Sequence, residues 1–313
     1  MENKVAIVGC GLIGQAWAVV FLRAGMQVAL YDTAVSAAEK AKHSIRNRID
    51  DLIAFGLIEA SQLAGCSDRM YVAQSLADAL SDVTYVQESG PEQLELKSIL
   101  TAEIDKLTAA DVPIGSSTSG ICASDYARDV AGAHRCLVVH PINPPHLIPA
   151  VEIVPSPATS EAVTTQVTAL MQRVGQQPIR LNKEIDGFVV NRLQGALLSE
   201  AFRLYQLGVA SSEDIDKAVS EGLGLRWSLM GPFQTIHLNA PGGISDYVAR
   251  FGPMYHEMFS RQTPADDWAV TLKNGLEDEV SNTDPVEEIE QAQANRDVAL
   301  MQLLARRARV QSA

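Results

Sequence analysis

No stretch of the 313-residue chain holds the roughly 20 consecutive apolar residues that a membrane helix needs, which excludes a helical span. Basic residues are in short supply. Lys and Arg number 25 against 38 Asp and Glu, a net charge of −13, so nucleic acid and anionic membranes are disfavoured as partners. The same deficit argues against a polyphosphate substrate that needs a broad basic surface. Cysteine is sparse too. Cys10, Cys66, Cys122 and Cys136 form no CxxC pair and no metal-ligand spacing, so reduced structural thiols and a cytoplasmic home are expected. The first strand pattern begins at Lys4, so no signal peptide is expected. No internal repeat or low-complexity tract is evident.

What the chain does have begins at Val5-Ala-Ile-Val-Gly-Cys-Gly-Leu-Ile-Gly14, with Asp32 eighteen residues beyond. An apolar run leads into a glycine-rich turn, an apolar helix follows from Leu12 to Leu22, and Val28-Ala-Leu-Tyr31 delivers Asp32. Gly9 permits the tight turn, Gly11 lets backbone approach a pyrophosphate, and Gly14 lets the helix pack on the strand. The helix N–H groups and dipole then favour phosphate. Asp32 suits the ribose hydroxyls and repels a 2′-phosphate, so NAD is the expected cofactor.

Candidate strands are Val5–Val8, Gln27–Tyr31, Met70–Ala73, Val83–Gln87, Pro113–Gly115, Cys136–His140, Val151–Val154 and Pro178–Leu181, mostly with helical stretches between them. This alternation predicts an α/β, Rossmann-type, mainly parallel sheet with helices on both faces. Short links between the last strands allow a mixed edge. Helices are read from Ser36 to Phe55 and from Pro91 to about Leu107. Beyond Asp186 strand signals fade. Gly187–Gly208, Ser211–Gly222 (Ser211 and Asp214 spaced as a capping box), Leu229–Asn239, Ile244–Arg261, Pro264–Lys273 and a last stretch from Thr283 to the Arg306–Arg309 region all read as helix. The expected division is an NAD-binding domain over 1–184 and a smaller helical substrate and dimerisation domain over 185–313.

Three segments carry reactive groups. Ser119 ends Ser116-Ser-Thr-Ser119 after a strand. His140 ends another strand, with Glu152 twelve residues on amid Val and Ile. Asn191 lies in Gly187-Phe-Val-Val-Asn-Arg192 at the domain boundary. Ligands of open α/β sheets bind beyond the carboxyl ends of strands, where Ser119 and His140 fall. A carboxylate embedded among apolar residues needs a partner. A His140–Glu152 pair would supply one and would hold the imidazole tautomer that suits a general base. The plainer alternative is that His140 caps a strand and Glu152 faces water. Taken alone, Ser119 reads as a turn residue and Asn191 as an interface hydrogen bonder. A metal site of His140, His146 and Glu152 has spacings of six and six that match no common ligand pattern, so no metal is expected.

Together these segments resemble the 3-hydroxyacyl-CoA dehydrogenase family over nearly the whole chain. The motifs are Gly9–Gly14, Pro91-Glu-Gln-Leu-Glu-Leu-Lys97, Ser116–Ser119, His140-Pro-Ile-Asn-Pro-Pro145, Leu147–Pro155, Gly187–Leu193, Glu221-Gly-Leu-Gly-Leu-Arg226, and Gly231-Pro with His237-Leu-Asn-Ala240. The stretches around Arg226 and His237 look like the family's crystallin-like branch. The resemblance implies His140 as general base, Glu152 as its orienting carboxylate, and Ser119 and Asn191 as holders of the substrate oxygen. It implies backbone contacts to NAD from Leu12 and Ile13, and further NAD contacts from Asp32, Glu92, Lys97 and Asn143. It also implies a homodimer formed through the helical domain.

One departure bears on substrate. Acyl-CoA members resemble one another in a lysine-rich stretch near the third strand, whereas Asp50–Asp68 here has no lysine or arginine. Binding CoA phosphates without cations is unfavourable. A small 3-hydroxy acid is therefore expected, L-gulonate being what the resemblance to the crystallin-like branch implies, with Arg226 clamping its carboxylate through paired hydrogen bonds. The plain alternative for Arg226 is a helix-terminal cation on backbone carbonyls. A short 3-hydroxyacyl-CoA and carnitine are the competing substrates, and a non-catalytic NAD-binding protein is a third reading.

Overall fold

The computed structural model describes residues 4–59, 66–260, 268–283 and 285–311. Contacts divide the chain into two units, Met1–Arg192 with Ala294–Ala313, and Leu193–Gln293.

The first unit is built on an eight-stranded sheet. Its strands are β1 Lys4–Val8, β2 Gln27–Tyr31, β3 Met70–Val72, β4 Tyr85–Glu88, β5 Ile114–Ser116, β6 Cys136–Pro141, β7 Ala150–Pro155 and β8 Gln177–Arg180. The order is β3-β2-β1-β4-β5-β6-β7-β8. Every neighbouring pair is parallel except β6 with β7. All eight expected strands are present to within two residues, and the mixed edge falls among the last strands, where links are short.

Side-chain alternation splits the core between the two faces. Val5 and Ile7 of β1 join one apolar cluster, Ala6 and Val8 the other. Helix α1, Leu12–Arg23, lies in the first cluster. Its Trp17 and Phe21, one turn apart, stack at 5.7 Å, and Phe21 meets Tyr85 at 5.9 Å. Helix α2, Val35–Ala54, buries Ile45, Ile49 and Leu52 in the same cluster.

The last helix, Ile289–Gln311, returns to this unit: Met301 is buried in that cluster and Leu300 and Leu304 pack against it. The contact division thus carries the first unit to Arg192 and adds the final helix to it, where the sequence expectation was 1–184 and 185–313. The apolar stripe of the last helix finds its partner in the sheet unit.

The second unit is helical. From Val190–Gln206, whose first three residues belong to the first unit, the chain runs through Ser212–Lys217, Pro232–Leu238, Gly243–Ser260, Trp268–Thr271 and Glu277–Thr283. Ser211 caps its helix by accepting from the Asp214 N–H at 3.1 Å. Phe202 stacks on Trp268 with ring centroids at 4.6 Å.

Several boundaries differ from the sequence expectation. The Gly187 helix starts at Val190, because Gly187 (φ 73°) and Phe188 (φ 50°) sit in the left-handed region. Gly222 stops nothing: it has no positive φ, and the helix continues through a π-turn over Ala218–Leu223 to Trp227. The Pro91 helix begins only at Leu94, because the Glu92 side chain is used by another loop. The final helix starts at Ile289, after a short 3-10 turn over Val286–Glu288. The expected starts at Pro264 and in the Thr283–Pro285 segment fall partly on residues outside those described. Among the described residues no helix is long and apolar enough to cross a membrane.

Candidate active site

The antiparallel register of β6 and β7 sets His140 directly opposite Glu152. Residues so paired point to the same face with Cβ atoms about 5 Å apart. Here the side chains meet, with His140 Nδ1 at 2.7 Å from Glu152 Oε2. Glu152 is fully buried and His140 is nearly so. The other carboxylate oxygen accepts from the backbone N–H groups of Val189 at 2.7 Å and Val190 at 3.0 Å. Burial alone would raise the Glu152 carboxyl. The His140 hydrogen bond and the Val190 and Val189 N–H groups outweigh burial and hold it below the usual carboxylate range.

An ionised carboxylate only accepts, so Nδ1 must carry a proton. That leaves the Nε2 lone pair open, and Nε2 has no hydrogen-bond partner among the described residues. Phe188, fully buried, supports the imidazole from the side with ring centroids 5.6 Å apart. Holding Phe188 at positive φ costs backbone energy, of the order of 1–3 kcal/mol, and fixes the ring beneath His140.

The residues after Val190 lead to the second pair. Asn191 Nδ2 donates to the carbonyl of Ser119 at 2.8 Å. The Ser119 N–H and hydroxyl both donate to Glu92 Oε1, at 2.9 and 3.2 Å, as do Thr118 Oγ1 at 2.6 Å and the Gly120 N–H at 3.2 Å. Burial would raise the Glu92 carboxyl, but the Thr118 bond, Lys97 and the two N–H groups hold it low. Glu92 thus staples the Ser119 loop to the start of the Leu94 helix.

Lys97 is no exposed helical partner of Glu92. It is 1% exposed, and its ammonium sits 3.0–3.1 Å from both oxygens of Glu88, 3.4 Å from the Gly90 carbonyl and 3.6 Å from Glu92 Oε2. The resemblance makes Lys97 a cofactor contact. Here four oxygens enclose its ammonium, and it meets the cofactor pocket through Gly90. Glu88, also 1% exposed, takes in addition the Gly90 N–H at 2.6 Å and the Ser116 hydroxyl.

That pocket, about 410 Å³, is lined by Gly9, Gly11, Asp32, Ser89, Gly90 and Leu100 among others. A Cβ at Gly9 (φ 101°) would lie 2.5 Å from the Ser89 carbonyl oxygen, and one at Gly14 would lie 1.9 Å from that of Gly9. Both glycines are required by the turn. A Cβ at Gly11 would meet nothing within 4 Å, so protein packing does not demand glycine there and the backbone is open to a ligand's close approach. The N–H groups of Leu12 and Ile13 open α1 and have no intrahelical acceptor. Asp32 accepts from the Cys10 and Ala34 N–H groups at 2.9 and 3.0 Å, which orients a carboxylate with lone pairs to spare. This set fits a dinucleotide. Cys10 beside it is buried, and burial followed by the Asp32 charge pushes its thiol up to about 12, so it is inert.

Asn143 is exposed, in a cis peptide bond to Pro144. His146 is buried and lines a different cavity, away from the dinucleotide pocket. Arg226 belongs to the second unit, where it is exposed. Neither an ion pair nor a backbone carbonyl takes its guanidinium among the described residues. Sequence reasoning missed Glu88, Gln87 and Thr118. Gln87, buried in β4, links Tyr85 to Ser117 through bonds of 2.6 and 2.7 Å. Two polar residues in a row at a strand end were the available signal.

Comparison with known proteins agrees with this geometry. Residues 4–185 match the NAD binding domain of 3-hydroxyacyl-CoA dehydrogenase, and residues 187–272 match its C-terminal domain. A lambda-crystallin homolog of Bos taurus is 39% identical over 309 residues, covering 96% of this chain and 94% of that protein. An L-carnitine dehydrogenase of Oceanobacillus iheyensis is 38% identical over 80% of this chain and 81% of its own. Among solved structures, the NAD+-dependent 5-formyl-3-hydroxy-2-methylpyridine-4-carboxylic acid 5-dehydrogenase superposes with a TM-score of 0.82 at 27% identity, covering 97% of each chain. The chain belongs to the 3-hydroxyacyl-CoA dehydrogenase family of NAD-dependent oxidoreductases.

Proposed function

We propose that this chain oxidises the 3-hydroxyl of a small hydroxy acid to the 3-oxo acid, with L-gulonate as the foremost substrate. The observation that carries the reading is the buried His140–Glu152 pair, with Nδ1 tied to the carboxylate and Nε2 open. His140 Nε2 accepts the hydroxyl proton as the carbonyl forms, and Glu152 stabilises the resulting imidazolium. Ser119 and Asn191 hold the substrate oxygen, the Asn191–Ser119 bond fixing their separation. NAD, when bound, supplies the oxidant that takes up hydride. Gly9, Gly11, Gly14, Leu12, Ile13 and Asp32 hold it, with Glu92 as a further contact, Asn143 near the nicotinamide, and Lys97 acting through Glu88 and Gly90. His140 then returns its proton to solvent.

The absence of cations over Asp50–Asp68 supports a small acid over a CoA ester. Of that stretch, 60–65 lie outside the described residues. Arg226 is our candidate for the carboxylate clamp. The likeness to an L-carnitine dehydrogenase favours a second reading, carnitine, which shares the 3-hydroxy acid core.

A homodimer formed by the helical unit is supported by its apolar surface. Gly243–Ser260 has no buried residue, and Leu229 and Phe233 are 77% and 76% exposed. A monomer mass in sedimentation at micromolar protein would refute this part. The free thiols of Cys10, Cys122 and Cys136 support a reducing, cytoplasmic setting.

The decisive experiment follows NADH formation with L-gulonate, carnitine and 3-hydroxybutyryl-CoA, for the native chain and for His140→Asn. General-base loss should lower kcat by about 10²–10⁴-fold with NAD affinity retained. An unimpaired variant removes the base from the reaction. A kcat/KM far higher for the CoA ester removes the small-acid assignment, and background rates across the panel remove the enzyme.

A further inference from the structure

The first unit contains a second cavity, of about 530 Å³, that shares no lining residue with the dinucleotide pocket. Its walls include Arg23 in the last turn of α1, Leu52 of α2, Leu57 and Ile58 just beyond, His146 from the β6–β7 loop, and Leu304 of the final helix.

Two polar groups here are unmatched by the fold. The Arg23 side chain is half-buried in the cavity wall. It makes one hydrogen bond, from Nη1 to the His146 carbonyl at 3.0 Å, and pairs with no carboxylate among the described residues. A guanidinium has five N–H donors, so most of this one is unassigned. His146 is 6% exposed, and its Nδ1 has no hydrogen-bond partner. Buried polar groups are ordinarily paired, and each exception needs an explanation.

Charge and shape narrow the explanation. Arg48 also acts on His146, but it has Asp297 and Asp51 as acidic neighbours. Among the described lining residues Arg23 is the one permanent cation, and no acidic side chain lines the cavity with it. The remaining walls are chiefly leucine, isoleucine and proline. A group of one negative charge on a short apolar body matches both, whereas a phosphate dianion would bring a charge with no partner.

We infer that this cavity is a binding site for a small aliphatic monocarboxylate. Its carboxylate takes the free edge of Arg23, and its chain lies against Leu52, Leu57, Ile58 and Leu304. The occupant would do two things. It would clamp the final helix to the sheet unit through Leu304. It would also bear on the β6–β7 loop through His146.

The test uses the full-length protein, with hexanoate as probe and hexanamide and inorganic phosphate as comparisons. Thermal unfolding is followed with and without saturating NADH. Hexanoate is expected to raise the melting temperature by about 3 °C at tenfold over its Kd, equally in both conditions, while the comparisons leave it unchanged. Arg23→Gln should abolish the response. Leu304→Trp, which fills the cavity from the final helix and leaves the cation in place, should abolish it independently, so a folding failure of either variant leaves the other to decide. The inference is overturned if millimolar hexanoate has no effect, if hexanamide or phosphate matches it, if NADH displaces it, or if the response survives in a folded variant.

Discussion

Glu152→Gln isolates what the buried carboxylate contributes. The glutamine has nearly the same shape, and its carbonyl oxygen must stay on the Val189 and Val190 side, because those N–H groups, now 2.7 and 3.0 Å from Oε1, can pair only with an acceptor. The amide NH₂ is thereby forced toward His140 Nδ1, at present 2.7 Å from Oε2. A donor there requires Nδ1 to accept, which moves the imidazole proton to Nε2. The nitrogen proposed to take the hydroxyl proton is then blocked, and the negative charge proposed to steady the imidazolium is gone.

A reversed tautomer combined with a lost charge should lower kcat by about 10²–10⁴-fold. Fold stability should change by no more than about 2 kcal/mol, since the backbone hydrogen bonds persist. The assay is NADH absorbance under saturating NAD with the best hydroxy acid of the panel, alongside NAD affinity and a nitrogen NMR spectrum of His140. The native enzyme should show the proton on Nδ1 and the variant on Nε2. A variant within threefold of native turnover, or one whose tautomer is unchanged, would refute the reasoning.

Three further outcomes follow from named contacts. Glu88→Gln leaves Lys97 buried with Glu92, 3.6 Å away, as its remaining charge partner and should cost about 3 kcal/mol in urea unfolding; Lys97→Met in the same chain should restore much of it, and a loss under 1 kcal/mol would show the pair to be dispensable. His146 is pushed from 6.5 to about 4, by burial first and then by Arg48 and Arg23, with Asp297 opposing. Between those values the unfolded chain binds a proton that the native one refuses, so stability falls as pH drops, by about 2 kcal/mol from pH 7.5 to 5; His146→Leu should flatten that slope, and parallel profiles would contradict it. Asp32→Ser, which removes the charge that excludes a 2′-phosphate, should shift kcat/KM from NAD toward NADP by roughly tenfold or more, and an unchanged ratio would show that another group sets the preference.

How much of this was legible in the sequence depends on how far each contact lies from local register. The strands were readable because their apolar runs are short and bounded by turns. The His140–Glu152 pair was within reach because any antiparallel hairpin centred on residue 146 sets 140 opposite 152, and the proline-rich stretch between them marks such a turn. The glycine turn was readable for a similar reason, since each glycine answers to atoms within the same motif or the adjoining strand end.

The failures are cases where a distant partner overrides local preference. Pro91 and Glu92 read as the start of a helix, yet the Glu92 carboxylate spends itself on Thr118, Ser119 and Gly120, more than twenty residues away, and the helix begins only at Leu94. Glu88 fell just past the expected strand Val83–Gln87 and drew no reading, because the ammonium that neutralises it comes from Lys97, on a helix nine residues further along. The apolar face of the final helix was visible as Leu300, Met301 and Leu304, but nothing in a stripe of that kind names the surface it will cover. Charges buried by tertiary closure are thus the residues a sequence hides best. In this fold they surround the proposed cofactor and base, so Glu88 and Lys97 are where substitution should tell most about how the site is held.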